Sequence, residues 1–160
     1  MGYSPGPYSS ALHLAWRLRN DQILIDAAAA GHLRLGLSAA WLLVALGQPA
    51  QHAMDFSLVQ AMGLYDFRAR QYWRAWLERL GVPVDPLPAA VPTVHEFGAV
   101  RVRAPGGASA AVPVLAMIGD QQAALFGYDC RRPGDAECTH GTASFVDVCL
   151  GDRPPDQEMI

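Results

Sequence analysis

An aspartate set between a strand-like run and a helix-like one is the feature of this sequence most suited to chemistry. Residues 112–118 read as a strand, Gly119-Asp120 closes it, and an Ala-rich helical run continues to Gly127. Ligands of open α/β sheets bind in the crevice outside the carboxyl ends of the strands. A carboxylate there can take the proton from a substrate hydroxyl as its oxygen attacks phosphorus. Aspartate is equally a favoured helix N-cap, and position alone leaves both readings standing. Gly141-Thr142 falls in a tight turn between two strand-like segments, where backbone N–H groups and a hydroxyl can meet a phosphate. An ordinary hairpin turn that uses glycine for its positive φ has the same sequence.

Other chemistries find little support. All twelve basic residues are arginine, so a P-loop lysine and a Schiff-base lysine are both absent. The formal net charge is -3, and Arg101 and Arg103 form no basic block of the kind that neutralises a run of phosphates, so no nucleic-acid partner is expected. The cysteines Cys130, Cys138 and Cys149 are odd in number and lack C-x-x-C spacing, which suggests neither a disulfide framework nor a zinc site. A reducing, cytoplasmic setting fits them. The five histidines are scattered, with no i, i+4 pair and no adjacent cysteine ligand, and no metal site is expected from side chains alone. With 51% hydrophobic and 17% charged residues the chain can build a core; its most apolar run, residues 35–46, is shorter than the ~20 residues a bilayer span needs.

The elements that must position these residues alternate between helix and strand. Residues 10–20 carry Leu12, Ala15, Trp16 and Arg19 at helical spacing, with Ser9 or Ser10 as the cap. A second helix covers 22–30 and stops at Gly31. A short strand is expected at 33–37, then a helix capped by Ser38 and ended by Gly47. Residues 63–67 have strand character. Trp73, Trp76, Leu77 and Leu80 recur at i, i+3, i+4 and i+7 before Gly81, the clearest amphipathic helix of the sequence. Residues 82–92 hold four prolines and read as an extended connector. Segments 99–103 and 112–118 flank a Pro-Gly-Gly turn, and 136–150 reads as two strands joined at His140-Gly141-Thr142-Ala143.

Residues 119–127, GDQQAALFG, resemble the segment around the catalytic aspartate of the FGGY family of carbohydrate kinases, closest to its glycerol kinase branch. Residues 139–145, THGTASF, are similar to the family's phosphate-binding turn, with His140 in place of a Tyr and Ala143 in place of a Gly. Residues 7–20, PYSSALHLAWRLRN, resemble its first signature, with His13 where a Lys is usual. Residues 36–47 and 55–66 run in the family's order, although 55–60 depart from the glycerol kinase pattern.

The resemblance implies a ribonuclease H-like, actin-like ATPase fold in the α/β class, present in part. Residues 1–130 would belong to the N-terminal, substrate-side domain and 131–160 to the start of the C-terminal, nucleotide-side domain. It implies Asp120 as general base, Gln121 and Tyr8 with Asp120 as contacts to substrate hydroxyls, and Gly141 with Thr142 as holders of ATP phosphates through Mg2+. The implied partners are ATP and a small polyol or sugar, glycerol first; homo-oligomerisation of the complete protein is left open. The family's first phosphate loop would lie before Met1 and its adenine site after Ile160, so this chain alone is expected to be inactive and to expose apolar surface. A truncated, non-catalytic FGGY-like paralogue or interaction module is the alternative.

Overall fold

The computed structural model describes residue 6 and residues 9–152. It divides into two compact units, one running to Met117 and the other beginning at Ile118.

In the first unit, α1 (Ser10–Asn20) and α2 (Gln22–Ala29) are separated by a single extended residue, Asp21. The Asp21 carboxylate accepts the Ile23 N–H at 3.2 Å and so caps α2. Gly31, at φ 72°, ends that helix in the left-handed region that glycine enters without penalty. Ser9 occupies the N-cap position of α1 but makes no side-chain capping bond. Ala11 and Ala15 face the core, whereas Trp16 is 64% exposed.

The strand expected at 33–37 does not form. The alternation behind it is real, since Leu33 and Leu35 are buried and their neighbours exposed. Only the Leu35 N–H pairs across, to Pro86 O at 2.8 Å, and prolines 83, 86 and 88 have no N–H to return. His52 replaces the ladder: its Nε2 lies 2.9 Å from Leu35 O and 3.1 Å from Pro86 O.

The chain continues through α3 (Ser38–Leu46), β1 (Gly47–Pro49), β2 (Ala53–Asp55), α4 (Phe56–Ala61), β3 (Tyr65–Asp66), β4 (Gln71–Tyr72) and α5 (Arg74–Leu80). β5 (Ala89–Val91), β6 (Val94–Arg103) and β7 (Ser109–Ala116) complete the unit. β1, β6 and β7 form an antiparallel sheet, β2 pairs in parallel with β5, and β3 pairs with β4. The connector 82–92 therefore contains a strand, because residues 89–91, between Pro88 and Pro92, keep their N–H groups and reach β2.

Ser38 is not the cap of α3; that position belongs to Leu37, whose side chain has no oxygen to accept a helix N–H. α5 follows its sequence pattern closely, with Leu77 and Leu80 buried and Gly81 as a left-handed C-cap at φ 69°. Trp73 stands at its N-cap and stacks on Trp76 at 5.8 Å. The core gathers Leu33, Leu35, Met54, Val59, Met62, Leu64, Leu77 and Leu80.

At its centre lies a carboxylate. Asp55 is fully buried. It caps α4 by accepting the N–H groups of Ser57 and Leu58, both at 3.2 Å, and also takes the hydroxyls of Ser57 at 2.8 Å and Thr93 at 3.0 Å.

β7, read from sequence as a buried strand of an α/β sheet, is instead an outer strand of the antiparallel sheet, and most of its residues are exposed. Large apolar side chains also stand exposed on α3, among them Trp41, Val44 and Leu46. Among the described residues no helix is long and apolar enough to cross a membrane.

The second unit holds α6 (Asp120–Gly127), β8 (Ala136–His140) and β9 (Ser144–Val148). The Asp135 carboxylate accepts the N–H groups of Arg131 at 3.0 Å and Arg132 at 2.8 Å, which closes the polar turn before β8. β8 and β9 form an antiparallel hairpin around the turn 140–144, with α6 packed against both strands.

Candidate active site

Gly119 takes the N-cap position of α6, with extended φ −66° and ψ 149°, and Asp120 is the first residue of the helix. Asp120 is therefore not the cap that its residue type allowed. Its carboxylate is exposed and its Oδ1 accepts the Gln121 N–H at 3.0 Å. An acid in the first turn of a helix lies at the end where the unpaired main-chain N–H groups point.

Across from α6, the hairpin register sets Glu137 opposite Asp147. Directly opposed residues point to the same face of a sheet, so two acids share one side. Glu137 is buried, and Thr139, two residues on, donates its hydroxyl to both Glu137 oxygens at 3.2 and 3.0 Å. Burial pushes the Asp147 carboxyl above the usual carboxylate range; its hydrogen bond with Glu137 and the charges of Glu137 and Asp120 push the same way. Asp120 thus stands close enough for its charge to be felt at Asp147. The Asp147 Oδ2 and Gln121 Oε1 atoms are buried without a hydrogen-bond partner among the described residues.

Gly141 and Thr142 are exposed in the turn. A side chain added at Gly141 would meet only Ala143 O, at 3.9 Å, so the outer side of the turn is open. The Gly141 N–H, however, donates inward to Ala143 O at 2.9 Å. The turn lies about 10 Å along β8 from the level of Glu137, three residues at ~3.4 Å each. Tyr8 lies outside the described residues.

Sequence reasoning missed Glu137 and Asp147. Alternation within 136–148 was the available signal, because it places 137 and 139 on one face, but the partner residue depends on where the turn falls. It also misjudged His140, taken as one of five unconnected histidines. His140 Nε2 lies 3.3 Å from Cys138 Sγ, and its Nδ1 lies 2.9 Å from Ser144 Oγ. Residues two apart on a strand share a face, a spacing that a search for helical pairs passes over.

A cavity of about 460 Å3 lies in the first unit, lined by Leu35, Trp41, Leu43, Val44, Pro49 and His52 among others. It includes none of the residues singled out from sequence.

With this geometry in place, comparison with known proteins is decisive about kinship. The model of the FGGY family of carbohydrate kinases, N-terminal domain, matches residues 2–127. The chain belongs to the FGGY family of carbohydrate kinases. A glycerol kinase of Symbiobacterium thermophilum is 36% identical over 151 residues, covering 94% of this chain and 30% of that enzyme. One from Halorhodospira halophila is also 36% identical over 151 residues, covering 94% of this chain and 29% of its own length. The crystal structure of Plasmodium falciparum glycerol kinase with ADP superposes with a TM-score of 0.74 at 24% identity, over 85% of this chain and 27% of that one.

The chain spans less than a third of the length of these relatives. Its fold is part of the ribonuclease H-like, actin-like ATPase fold of the FGGY kinases. The β8–β9 hairpin lies beyond the segment that the N-terminal domain model matches.

Proposed function

We propose that the complete protein is an ATP-dependent phosphotransferase that moves the γ-phosphate to a hydroxyl of a polyol or sugar, with glycerol the leading substrate, and that it works in the cytoplasm. The observation that carries this reading is the exposed Asp120 carboxylate at the head of α6, inside the segment that matches the family. Phosphoryl transfer asks chiefly for positioning and charge neutralisation. Asp120 accepts the proton of the attacking hydroxyl, and that substrate is oriented by Gln121 and Tyr8.

Gly141 and Thr142 hold the phosphates of ATP. The fit is partial: the outer face of the turn is open and the Thr142 hydroxyl is exposed, while the Gly141 N–H is engaged with Ala143 O. Among the described residues no group of three or more His, Cys, Asp or Glu could hold a metal ion. Mg2+ would arrive on the nucleotide, held by phosphate oxygens and water beside Gly141 and Thr142. When bound, the ion neutralises charge on the phosphates.

The inward Gly141 N–H and the Ala143 that replaces a family glycine favour a second reading, a non-catalytic FGGY-like module. A phosphorylation assay of the complete gene product against glycerol and a panel of polyols and sugars separates the two. Turnover of ATP with one of them, abolished in Asp120→Asn, supports the kinase. Absence of turnover with every member of the panel supports the module.

A further inference from the structure

We propose that Cys138 is a base-assisted reactive thiol, the site at which this protein is covalently modified by peroxides and other soft electrophiles. On the face of the hairpin opposite Glu137 and Thr139, β8 presents Cys138 and His140, and the register sets His140 against Ser144 across the turn. The imidazole bridges the two: Nδ1 is 2.9 Å from Ser144 Oγ and Nε2 is 3.3 Å from Cys138 Sγ. With the ring proton on Nδ1 and donated to the serine oxygen, the Nε2 lone pair faces the thiol. A nucleophile, a base in reach of it and a third group that orients the base is the arrangement by which proteins activate cysteine. All three residues are exposed, so a reagent can reach the sulfur.

The other two cysteines are less accessible. Cys130 and Cys149 are half-buried. Burial, followed by the negative charges of Asp135 and Glu137, pushes the Cys130 thiol up and makes it the less reactive form.

With hydrogen peroxide the reaction balances without any further reagent. The thiol proton passes to His140 Nε2, and the sulfur lone pair attacks one peroxide oxygen. The O–O bond breaks, and the departing hydroxide takes the imidazolium proton as water. Sulfur is oxidised by two electrons to a sulfenic acid, and the peroxide is reduced. Loss of the thiol–imidazole contact would then disturb the strand leading into Gly141-Thr142. Only that consequence rests on the proposed kinase function; the reactivity does not.

The test is competitive labelling of the intact chain with limiting iodoacetamide, and with peroxide followed by a sulfenic-acid trap, each cysteine being read separately by peptide mass spectrometry. Cys138 should react about tenfold faster than Cys130 and Cys149, and His140→Gln should slow it by about tenfold, leaving the other two unchanged. Cys138 reacting no faster than its neighbours, or keeping its rate in His140→Gln, would overturn the proposal, since exposure alone would then account for the sulfur. If His140→Gln also alters the rates of Cys130 and Cys149, its fold has changed and Ser144→Ala carries the test. There the imidazole remains but loses its orienting partner, and a fall of about threefold at Cys138 is expected; an unchanged rate overturns the proposal.

Discussion

Asp55 offers the sharpest test of how the first unit is held together. Its carboxylate is fully buried and accepts two main-chain N–H groups at the start of α4 and two hydroxyls, one of them from Thr93 just beyond β5. Asp55→Ala removes a helix cap, which costs about 1 kcal/mol. It also leaves buried donors without an acceptor, at about 1–3 kcal/mol for each that finds no substitute. Because the two hydroxyls can rotate toward other acceptors, the sum is set at about 3–5 kcal/mol rather than at the upper limit of four full penalties. At about 4 °C per kcal/mol for a unit of this size, the melting temperature should fall by roughly 12–20 °C. Asp55→Asn keeps the shape and one acceptor oxygen and should cost about 1–2 kcal/mol, as should Thr93→Val, which removes a single donor. Urea melts of the three variants supply the values. A loss below about 1 kcal/mol in Asp55→Ala would refute the reasoning, because a buried carboxylate with four partners would then be holding nothing.

Three further outcomes follow from other sites. Asp120→Asn in the complete enzyme should lower turnover by roughly two to four orders of magnitude while stability stays within about 0.5 kcal/mol, as for an exposed side chain that is not a cap; a large loss of stability with turnover intact would make Asp120 structural. Asp147→Asn should raise the melting temperature at neutral pH, because the native fold holds the Asp147 proton more tightly than the unfolded chain does. Wild-type stability therefore falls, relative to the variant, as pH climbs from the ordinary aspartate value of 3.8 through the raised native one, and parallel melts across that window would show the difference vanish at lower pH. Gly98→Ala should destabilise strongly, because Gly98 sits at φ 119° and an added Cβ would run into Gln48 O where β1 pairs with β6; circular dichroism on heating reads the loss, and a variant as stable as wild type would contradict the close approach.

Much of the architecture could be read from residue types alone. α1 announces itself by apolar spacing, α2, α5 and α6 also by the glycines at their ends, and the β8–β9 hairpin by alternation around His140-Gly141-Thr142-Ala143. What could not be read depends on distant partners. β2 and β5 are three residues each, flanked by prolines or a helix, and are strands only because they find one another. Residues 33–37 have the alternation of a strand but face a proline-rich segment that cannot complete the ladder. Asp120 was visible because its place between a strand and a helix draws attention to it. Glu137 and Asp147 were not, because an acid on a short strand looks like solvent-facing decoration until the register turns it inward. Asp55, noticed only as a departure from a family pattern, is the acid around which α4 and Thr93 are organised.

The parallel pairing of β2 with β5 also constrains the order in which this chain can assemble. All of α4, β3, β4 and α5 must be threaded between the two strands before Ala53 can meet Ala89, whereas β8 reaches β9 across one tight turn. Loop entropy is repaid late in the first case and at once in the second. In a full-length chain refolding from denaturant, the hairpin can thus be in place while β2 and β5 are still searching, so its prospective phosphate turn forms before the core around Asp55 closes.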